Sequence, residues 1–285
     1  MNRRLLAPYG LKWDPFSQEI PTEALHVTAK FESFMWRMEN LAREGGLAAV
    51  TSLGPGYGKS ASLRLLSDRL TALRDVHVRE LTRPQAQIAD FYRELGDLFG
   101  IQLSPHNRWA GAKVLRERWQ AHFEAALYRP VLLIDEAQEA QATVLNELRH
   151  LCSAHLDSRL LLTVVLAGDA RLTEKLRTPD LVPLGSRIRV RLALESATAE
   201  ELGDCLRHVM AAAGNARLMT PELVTMLSEH AAGNLRIMMG IAQDLLAEAA
   251  RRELPTLDEK LYFELFAPQP PAPGRGKSGG QGKGR

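Results

Sequence analysis

The sequence has little of several features that mark specialised classes of protein. Its two cysteines, Cys152 and Cys205, stand apart and have neither zinc-site spacing nor the pattern of a disulfide framework. A reducing location, the cytoplasm, is therefore expected. No apolar run approaches the ~20 residues that span a bilayer, and no long apolar stretch follows the first arginines to form a signal peptide. We therefore expect no membrane association.

Net charge is also nearly absent, with 36 basic and 34 acidic residues and a formal charge of +2. Four of the basic residues and none of the acidic ones lie in residues 267–285, which leaves 32 basic residues for residues 1–266. A body this balanced excludes a globally basic surface, so any contact with nucleic acid must use a local stripe. The tail 267–285 is rich in proline and glycine and is predicted to be disordered, either as a solvated terminus or as a basic arm.

What the sequence does contain is a regular alternation of apolar runs and amphipathic segments as far as Leu194. Strands are predicted at 47–53, 76–81, 130–135, 160–167 and 188–194, and helices at 60–73, 85–99, 107–127 and 139–156. This alternation predicts an α/β fold in which helices cover both faces of a parallel sheet. Further helices alone are predicted at 198–213, 220–231, 234–252 and 256–265, which indicates a small all-helical lid domain.

These patterns divide the chain into four parts. We expect an N-terminal extension at 1–29, an α/β core at 30–194, a helical lid domain at 195–266 and a disordered basic tail at 267–285.

A glycine-rich loop between the first strand and the next helix predicts a nucleotide site. The stretch TSLGPGYGKSAS ends as the phosphate-loop pattern G-x-x-x-x-G-K-[ST] does, except that Leu53 replaces the first glycine and Gly54 follows it. Backbone N–H groups and the start of a helix hold phosphate in such a loop. The predicted ATP contacts are Gly54, Pro55, Gly56, Tyr57, Gly58, Lys59, Ser60 and Ala61. A structural strand-to-helix turn with a chance Lys-Ser is the alternative.

Two adjacent acids end the buried strand VLLIDE, and a Mg²⁺–ATP site explains why two carboxylates stand there. Asp135 and the hydroxyl of Ser60 are the predicted Mg²⁺ ligands, and Glu136 is predicted to polarise the attacking water. The alternative is that Asp-Glu merely begins the next loop.

Three further residues are predicted to act in ATP hydrolysis. Asp169 ends the strand expected beside Asp135, where it either orders the water and senses the γ-phosphate or caps the next helix. Arg187 begins an edge strand and fits an arginine finger supplied to a neighbouring subunit, or is a solvated edge arginine. Arg236, in the lid segment GNLR, folds back onto the γ-phosphate or is a surface arginine.

These parts, in this order, resemble the AAA+ class of P-loop NTPases over residues 30–266. The segments YGLKWDPF, VLLIDEAQEA, VVLAGDARL and SRIRVRL resemble the ExeA/TniB/TnsC group within it, which contains secretion ATPases and transposon helper ATPases related in function to IstB and MuB. The resemblance implies ATP at subunit interfaces, with Arg187 acting in trans and Arg236 reporting nucleotide state. The departure at Leu53 bears on the hydrolysis rate more than on ATP binding.

The resemblance also implies a function in DNA transposition. The protein would oligomerise as a ring or helical filament on duplex DNA, recruit or activate a DDE-type transposase with a target-selection protein as a further partner, and disassemble on ATP hydrolysis. Contacts to DNA would be sequence-neutral and made to phosphates. The implied DNA-binding residues are Arg83, Arg108 and Lys113.

Three alternative functions stay open on the sequence. A secretion-type ATPase, acting through protein partners in envelope assembly, is expected to carry a membrane segment and a wall-binding domain beside this core, and the short basic tail disfavours it. A small-molecule kinase is disfavoured by the helical lid and by the Asp-Glu pair, which suits water activation. A nucleotide-gated switch with little hydrolysis is kept open by Leu53.

Overall fold

A computed structural model of the protein describes residues 6–103, 107–125, 128–154 and 158–266. The predicted disordered tail, 267–285, lies outside the described residues. The strands are β1 Gly46–Ser52, β2 Val76–Leu81, β3 Arg129–Ile134, β4 Ser153–Ala154, β5 Arg159–Leu160, β6 Thr163–Gly168 and β7 Ile188–Leu194. The helices of the α/β part are α1 Ala29–Glu44, α2 Lys59–Thr71, α3 Ile88–Phe99, α4 Arg108–Glu124, α5 Ala142–Cys152, α6 Ala170–Lys175 and α7 Val182–Gly185. The later helices are α8 Ala199–Ala213, α9 Pro221–His230, α10 Leu235–Arg252 and α11 Glu259–Phe266.

Five strands form one parallel sheet in the order β2-β3-β6-β1-β7. β1 lies between β6 and β7, with Gly46 opposite Thr163 and Leu47 opposite Ile188. The carboxyl ends of β1, β3 and β6 therefore meet at one edge of the sheet. Because parallel strands bring their following loops together, this edge collects the phosphate loop, the two acids and Asp169.

Helices cover both faces of this sheet, as the sequence predicts. Leucines of α2, including Leu66 and Leu70, pack with α1 and with inward-facing valines and alanines on one face. The opposite face packs against α3, α4 and α5, where Trp119 and Tyr92 are almost fully buried. Alternating burial along β7 identifies it as a half-exposed edge strand, as predicted.

The region between β3 and β6 differs from the sequence prediction. The helix predicted at 139–156 begins only at Ala142, after a turn of 3₁₀ helix at Ala137–Glu139, and ends at Cys152. Ser153 and Ala154 instead form β4, which pairs antiparallel with β5, and residues 155 and 156 of the predicted helix lie outside the described residues. The strand predicted from 160 begins at Thr163. Leu161 and Leu162 are buried but lie outside the strands. An apolar run indicates that residues are buried, but it does not by itself indicate that they pair in a sheet.

The chain after β7 is helical, and its apolar core is shared with the N-terminal segment. Buried side chains of that segment, among them Tyr9 and Phe16, pack with those of α8, α9, α10 and α11. The Tyr9 hydroxyl donates to the Leu254 carbonyl at 2.8 Å, and the Lys12 N–H donates to the Ala213 carbonyl at 2.9 Å. Among the described residues, no helix has both the length and the apolar character needed to cross a bilayer.

The N-terminal segment also contacts the helix that follows the phosphate loop. Arg64, on α2, donates to the Gln18 carbonyl at 3.0 Å and to the Ile20 carbonyl at 2.6 Å. The segment that packs on the later helices is therefore tied to the α/β part through one guanidinium.

Candidate nucleotide-binding site

The glycine-rich loop joins the carboxyl end of β1 to the start of α2. Gly56 and Gly58 have φ of +93° and +85°, a region that side chains disfavour, and Gly58 is the N-cap of α2. Gly54 has no such requirement, because a Cβ there would meet only the Tyr57 ring at 3.9 Å. The backbone of the loop therefore requires glycine at 56 and 58, and the helix start adds the positive potential that phosphate binding uses.

Lys59 lies at the base of this loop with only 9% of its surface exposed. Its ammonium donates to Asp135 Oδ1 and to Glu136 Oε1, which follow β3 at the same edge of the sheet. The Glu136 N–H donates to Asp135 Oδ1 at 2.7 Å, and Glu136 has a left-handed backbone with φ +50°. This turn directs two adjacent carboxylates to one lysine, an arrangement that a strand continuing straight would not give.

Gln138 completes the contacts of Glu136. Its Nε2 donates to Glu136 Oε2, and its Oε1 accepts from the Asp169 N–H at 3.3 Å. Burial alone would raise the pKa of Glu136, but the hydrogen bonds from Lys59 and Gln138 outweigh that effect and hold the pKa below its usual value. Glu136 is therefore ionised and held at both oxygens at neutral pH.

Asp169 lies beside this group, at the end of β6. Its carboxylate accepts from the Arg171 N–H at 2.9 Å and caps α6, and it pairs with the Arg171 guanidinium at 2.8 Å. The hydrogen bond from the Arg171 side chain lowers the pKa of Asp169 most, and the backbone bond contributes further. The contacts of the carboxylate are those of a helix cap, and the backbone N–H of Asp169 points to Gln138.

The lid reaches the loop through the start of α10. Asn234, the N-cap of α10, donates from Nδ2 to the Pro55 carbonyl at 3.2 Å, and the Arg236 N–H donates to the Gly56 carbonyl at 3.1 Å. A Cβ at Gly56 would lie 2.3 Å from Asn234 Oδ1 and 2.9 Å from Arg236 Cβ. Arg236 is thus placed at the loop by its backbone, while its side chain is exposed.

Arg187 lies at the opposite end of the strands, just before the amino end of β7. It precedes Ile188, which pairs with Leu47 near the start of β1, and its guanidinium donates to the Pro183 carbonyl at 2.8 Å. The seven residues of β7 separate it from the loop edge by roughly 20 Å at ~3.3 Å per residue. The side chain therefore cannot reach the phosphate loop of its own subunit.

The three DNA-binding candidates lie in the β2–α3 connection and on α4. Arg83 is exposed in that connection. Arg108 is the first residue of α4, and Lys113, one turn further along, pairs with Glu117 at 3.7 Å. Arg83 and Lys113 are accessible to a ligand.

The residues at the loop edge fit ATP and Mg²⁺. A buried ammonium, glycines at two left-handed positions and a helix start provide phosphate contacts, and Ser60 is exposed in the first turn of α2. No group of three or more His, Cys, Asp or Glu side chains within the described ranges is arranged to hold a metal by itself. Mg²⁺ suits such a sparse donor set, because it takes one or two protein oxygens and completes its shell with phosphate and water.

Two residues of this site were not predicted from the sequence. Gln138 lies two positions after Glu136 in DEAQ, and Asn234 lies two before Arg236 in GNLR. Asparagine at a helix start is a recognised N-cap signal that would have pointed to Asn234. Nothing in the sequence distinguishes Gln138 from a surface glutamine, since its role depends on the end of β6.

Comparison with known proteins supports the fold. Residues 46–176 match the family model described as an AAA domain. The chain is 27% identical over 248 residues to General secretion pathway protein A of Aeromonas hydrophila, an alignment that covers 86% of this chain and 44% of that protein. The chain therefore spans less than half the length of this relative.

Solved structures share the fold over most of this chain. The Aeropyrum pernix ORC2 protein in its ADPNP–ADP complexes has a TM-score of 0.69 and 15% identity, over 88% of this chain and 70% of that chain. Drosophila ORC bound to DNA has a TM-score of 0.61 and 18% identity, over 93% of this chain and 66% of that chain. The predicted P-loop AAA+ fold with a helical C-terminal region is confirmed, and the narrower TniB/TnsC assignment stays a prediction.

Proposed function

We propose that this chain is an AAA+ ATPase that binds Mg²⁺–ATP at the loop edge and hydrolyses it there. The observation that carries the proposal is the buried Lys59 ammonium, shared by Asp135 and Glu136 at the mouth of the glycine loop. The AAA domain match at residues 46–176 supports it. Residues 54–61 would hold the phosphates of ATP. The Lys59 ammonium would then leave the two carboxylates and bind phosphate.

The two acids take different roles in this proposal. Asp135 and Ser60 would hold Mg²⁺, which when bound neutralises charge on the phosphates. Glu136 accepts the proton of the attacking water, and its lowered pKa keeps it in the ionised form that a base requires. Asp169 senses the site through its backbone contact to Gln138, while its carboxylate fixes the start of α6.

We further propose that the active form is an oligomer, a ring or a helical filament. Arg187 lies too far from its own loop to act there and sits by the exposed edge strand, where a neighbouring subunit's ATP would be within reach. Arg187→Ala is expected to leave ATP binding intact and to lower turnover. An unchanged turnover would contradict the trans role. Arg236, placed at the loop by its backbone, would transmit nucleotide state to the lid.

Duplex DNA is the proposed partner of the assembled form. The ORC structure similar to this chain is bound to DNA, and Arg83 and Lys113 are exposed. ATP would drive assembly on DNA without sequence preference, the assembly would recruit or activate a DDE-type transposase together with a target-selection protein, and hydrolysis would release it. The resemblance of VLLIDEAQEA and VVLAGDARL to transposon helpers supports this partner.

A second candidate is a secretion-type ATPase that acts through protein partners in envelope assembly. The 27% identity to General secretion pathway protein A, over 86% of this chain, favours it. Both candidates share the ATP site and differ only in what the oligomer assembles on.

Salt-titrated binding to random-sequence duplex DNA separates the two candidates. It is measured with and without a slowly hydrolysed ATP analogue, and the same samples are imaged by electron microscopy. Rings or filaments that need both ATP analogue and DNA, with affinity falling steeply as salt rises, support the DNA partner. Assembly with nucleotide but without DNA binding would overturn it in favour of protein partners.

A further inference from the structure

Gln138 is a buried glutamine whose amide uses both of its ends. It is 6% exposed, its Nε2 donates to Glu136 Oε2, and its Oε1 accepts from the backbone N–H of Asp169. The amide therefore bridges the acid that follows β3 and the end of the neighbouring strand β6. Each end of the buried amide has a partner, as burial requires, and the two partners follow different strands.

The surroundings of Gln138 fix its position from two sides. A Cβ on Gly168 would lie 2.5 Å from Gln138 Oε1, so only glycine at 168 leaves room for the amide. The Lys175 ammonium donates to the Gln138 carbonyl at 2.8 Å and holds the backbone of the 3₁₀ turn. The amide of Gln138 thus packs against the end of β6, and its backbone is held from α6.

The bond from Gln138 is the one that Glu136 would keep during ATP hydrolysis. Glu136 Oε1 is held by Lys59, which the proposed function commits to phosphate. Glu136 Oε2 is held by Gln138, whose other hydrogen bonds are made with Asp169 and Lys175. When Lys59 moves to phosphate, the glutamine alone keeps the carboxylate aimed.

We propose that Gln138 is a positioning residue for ATP hydrolysis, which holds the Glu136 carboxylate in its water-activating orientation and couples it to the end of β6. The inference rests on the proposed ATPase function. It predicts that loss of the Gln138 amide lowers kcat for ATP hydrolysis and leaves nucleotide binding unchanged. The expected loss is about 10- to 100-fold, the size of a hydrogen bond to a charged group.

The split between kcat and KM distinguishes positioning from a merely structural role. Gln138 bonds to Glu136, which the proposed function assigns to the chemical step, so loss of the amide should lower kcat for ATP hydrolysis and leave KM unchanged. A structural role would also disturb Lys59 and the glycine loop, so KM and ADP affinity would change together with kcat.

Two variants separate the two ends of the bridge. Gln138→Leu removes both hydrogen bonds at similar volume, and Gln138→Glu keeps an acceptor for the Asp169 N–H but loses the donor to Glu136. Both should lower kcat and leave KM unchanged. Gln141→Leu, at an exposed glutamine three residues along the same connection, is the matched control and should change neither.

ADP binding and thermal unfolding are measured on every variant, so that loss of fold is told apart from loss of rate. Folded Gln138→Leu or Gln138→Glu protein with wild-type kcat, or with KM and ADP affinity changed as much as kcat, would overturn the inference and leave the proposed function standing. A wild-type protein that neither binds nor hydrolyses ATP would instead overturn the proposed function, and this inference with it.

Discussion

The α/β core and the helical lid bury polar side chains in different ways. In the core, the buried Lys59 binds the side chains of two acids that follow a different strand, and the buried Gln138 joins the Glu136 carboxylate to the backbone at the end of β6. In the lid, the buried Ser228 bonds to the Val224 carbonyl one turn earlier in its own helix. Burying a charge or an amide costs free energy unless its hydrogen-bond partners are held in place. The core therefore holds buried polar groups at the proposed site, whereas the interior of the lid is mainly apolar packing.

The two regions contact each other at the glycine loop. Asn234 and the backbone of Arg236 contact the carbonyls of Pro55 and Gly56. In the proposed function, the core supplies the chemistry and the lid responds to nucleotide through this contact. Mutations in each region can test that division.

The largest effect is expected from Lys59→Ala, which removes the buried cation of the core. ATP affinity should fall by about 30-fold or more, because truncating one partner of a buried charge pair costs about 2–5 kcal/mol. Calorimetric titration with an ATP analogue measures it, with Lys260→Ala, an exposed lysine of α11, as the control. Near-native affinity in the variant would show that the loop is not the phosphate site.

Glu136→Gln tests the chemistry of the core, because it removes the charge of the carboxylate and keeps the shape of the side chain. ATP binding should persist while turnover falls by about 100-fold or more, the usual contribution of a general base. Phosphate release under saturating ATP measures turnover. Glu139→Gln, three residues further on and paired with Arg171, is the control. Normal turnover in Glu136→Gln would move water activation to another group.

Leu245→Ala tests the lid, where burial serves packing alone. Leu245 is fully buried in α10, so the free energy of unfolding should fall by about 2–5 kcal/mol. Denaturant unfolding measures it, and Ile237→Ala on the exposed side of the same helix, 48% exposed, should cost little. ATP affinity, measured where both variants are folded, should not change. A lower affinity there would break the division between chemistry and packing.

Gly56→Ala tests the junction between the two regions and should have the smallest effect. Its Cβ would press on Asn234 Oδ1 at 2.3 Å with φ at +93°, a strain of about 1–3 kcal/mol that thermal unfolding measures. Gly54→Ala, two residues earlier with only Tyr57 nearby at 3.9 Å, is the matched control and should be close to neutral. Adding Asn234→Ala should restore part of the loss. Equal effects of the two glycine variants would mean that the lid contact does not set the need for glycine.

Sequence patterns predicted the sheet, the later helices and the loop between β1 and α2 well, because hydrophobic period and glycine spacing report local structure directly. They placed the bounds of the helix and the strand between β3 and β6 wrongly, since the apolar Leu161 and Leu162 are buried but lie outside the strand. They also missed Gln138, whose partner Asp169 is 31 residues away along the chain. Such contacts depend on which strands are neighbours, and periodicity carries no information about strand order.

Residue types and spacing were enough to predict the α/β and helical halves, the phosphate-loop pattern of Gly58, Lys59 and Ser60, and the two acids after a buried strand. The fold was needed to show that Lys59 binds both acids, that Gln138 holds the second of them, and that Arg187 lies at the amino end of β7, away from its own loop. Residue types and spacing fix local geometry and chemistry, whereas the direction of a side chain across the sheet follows from strand order and register.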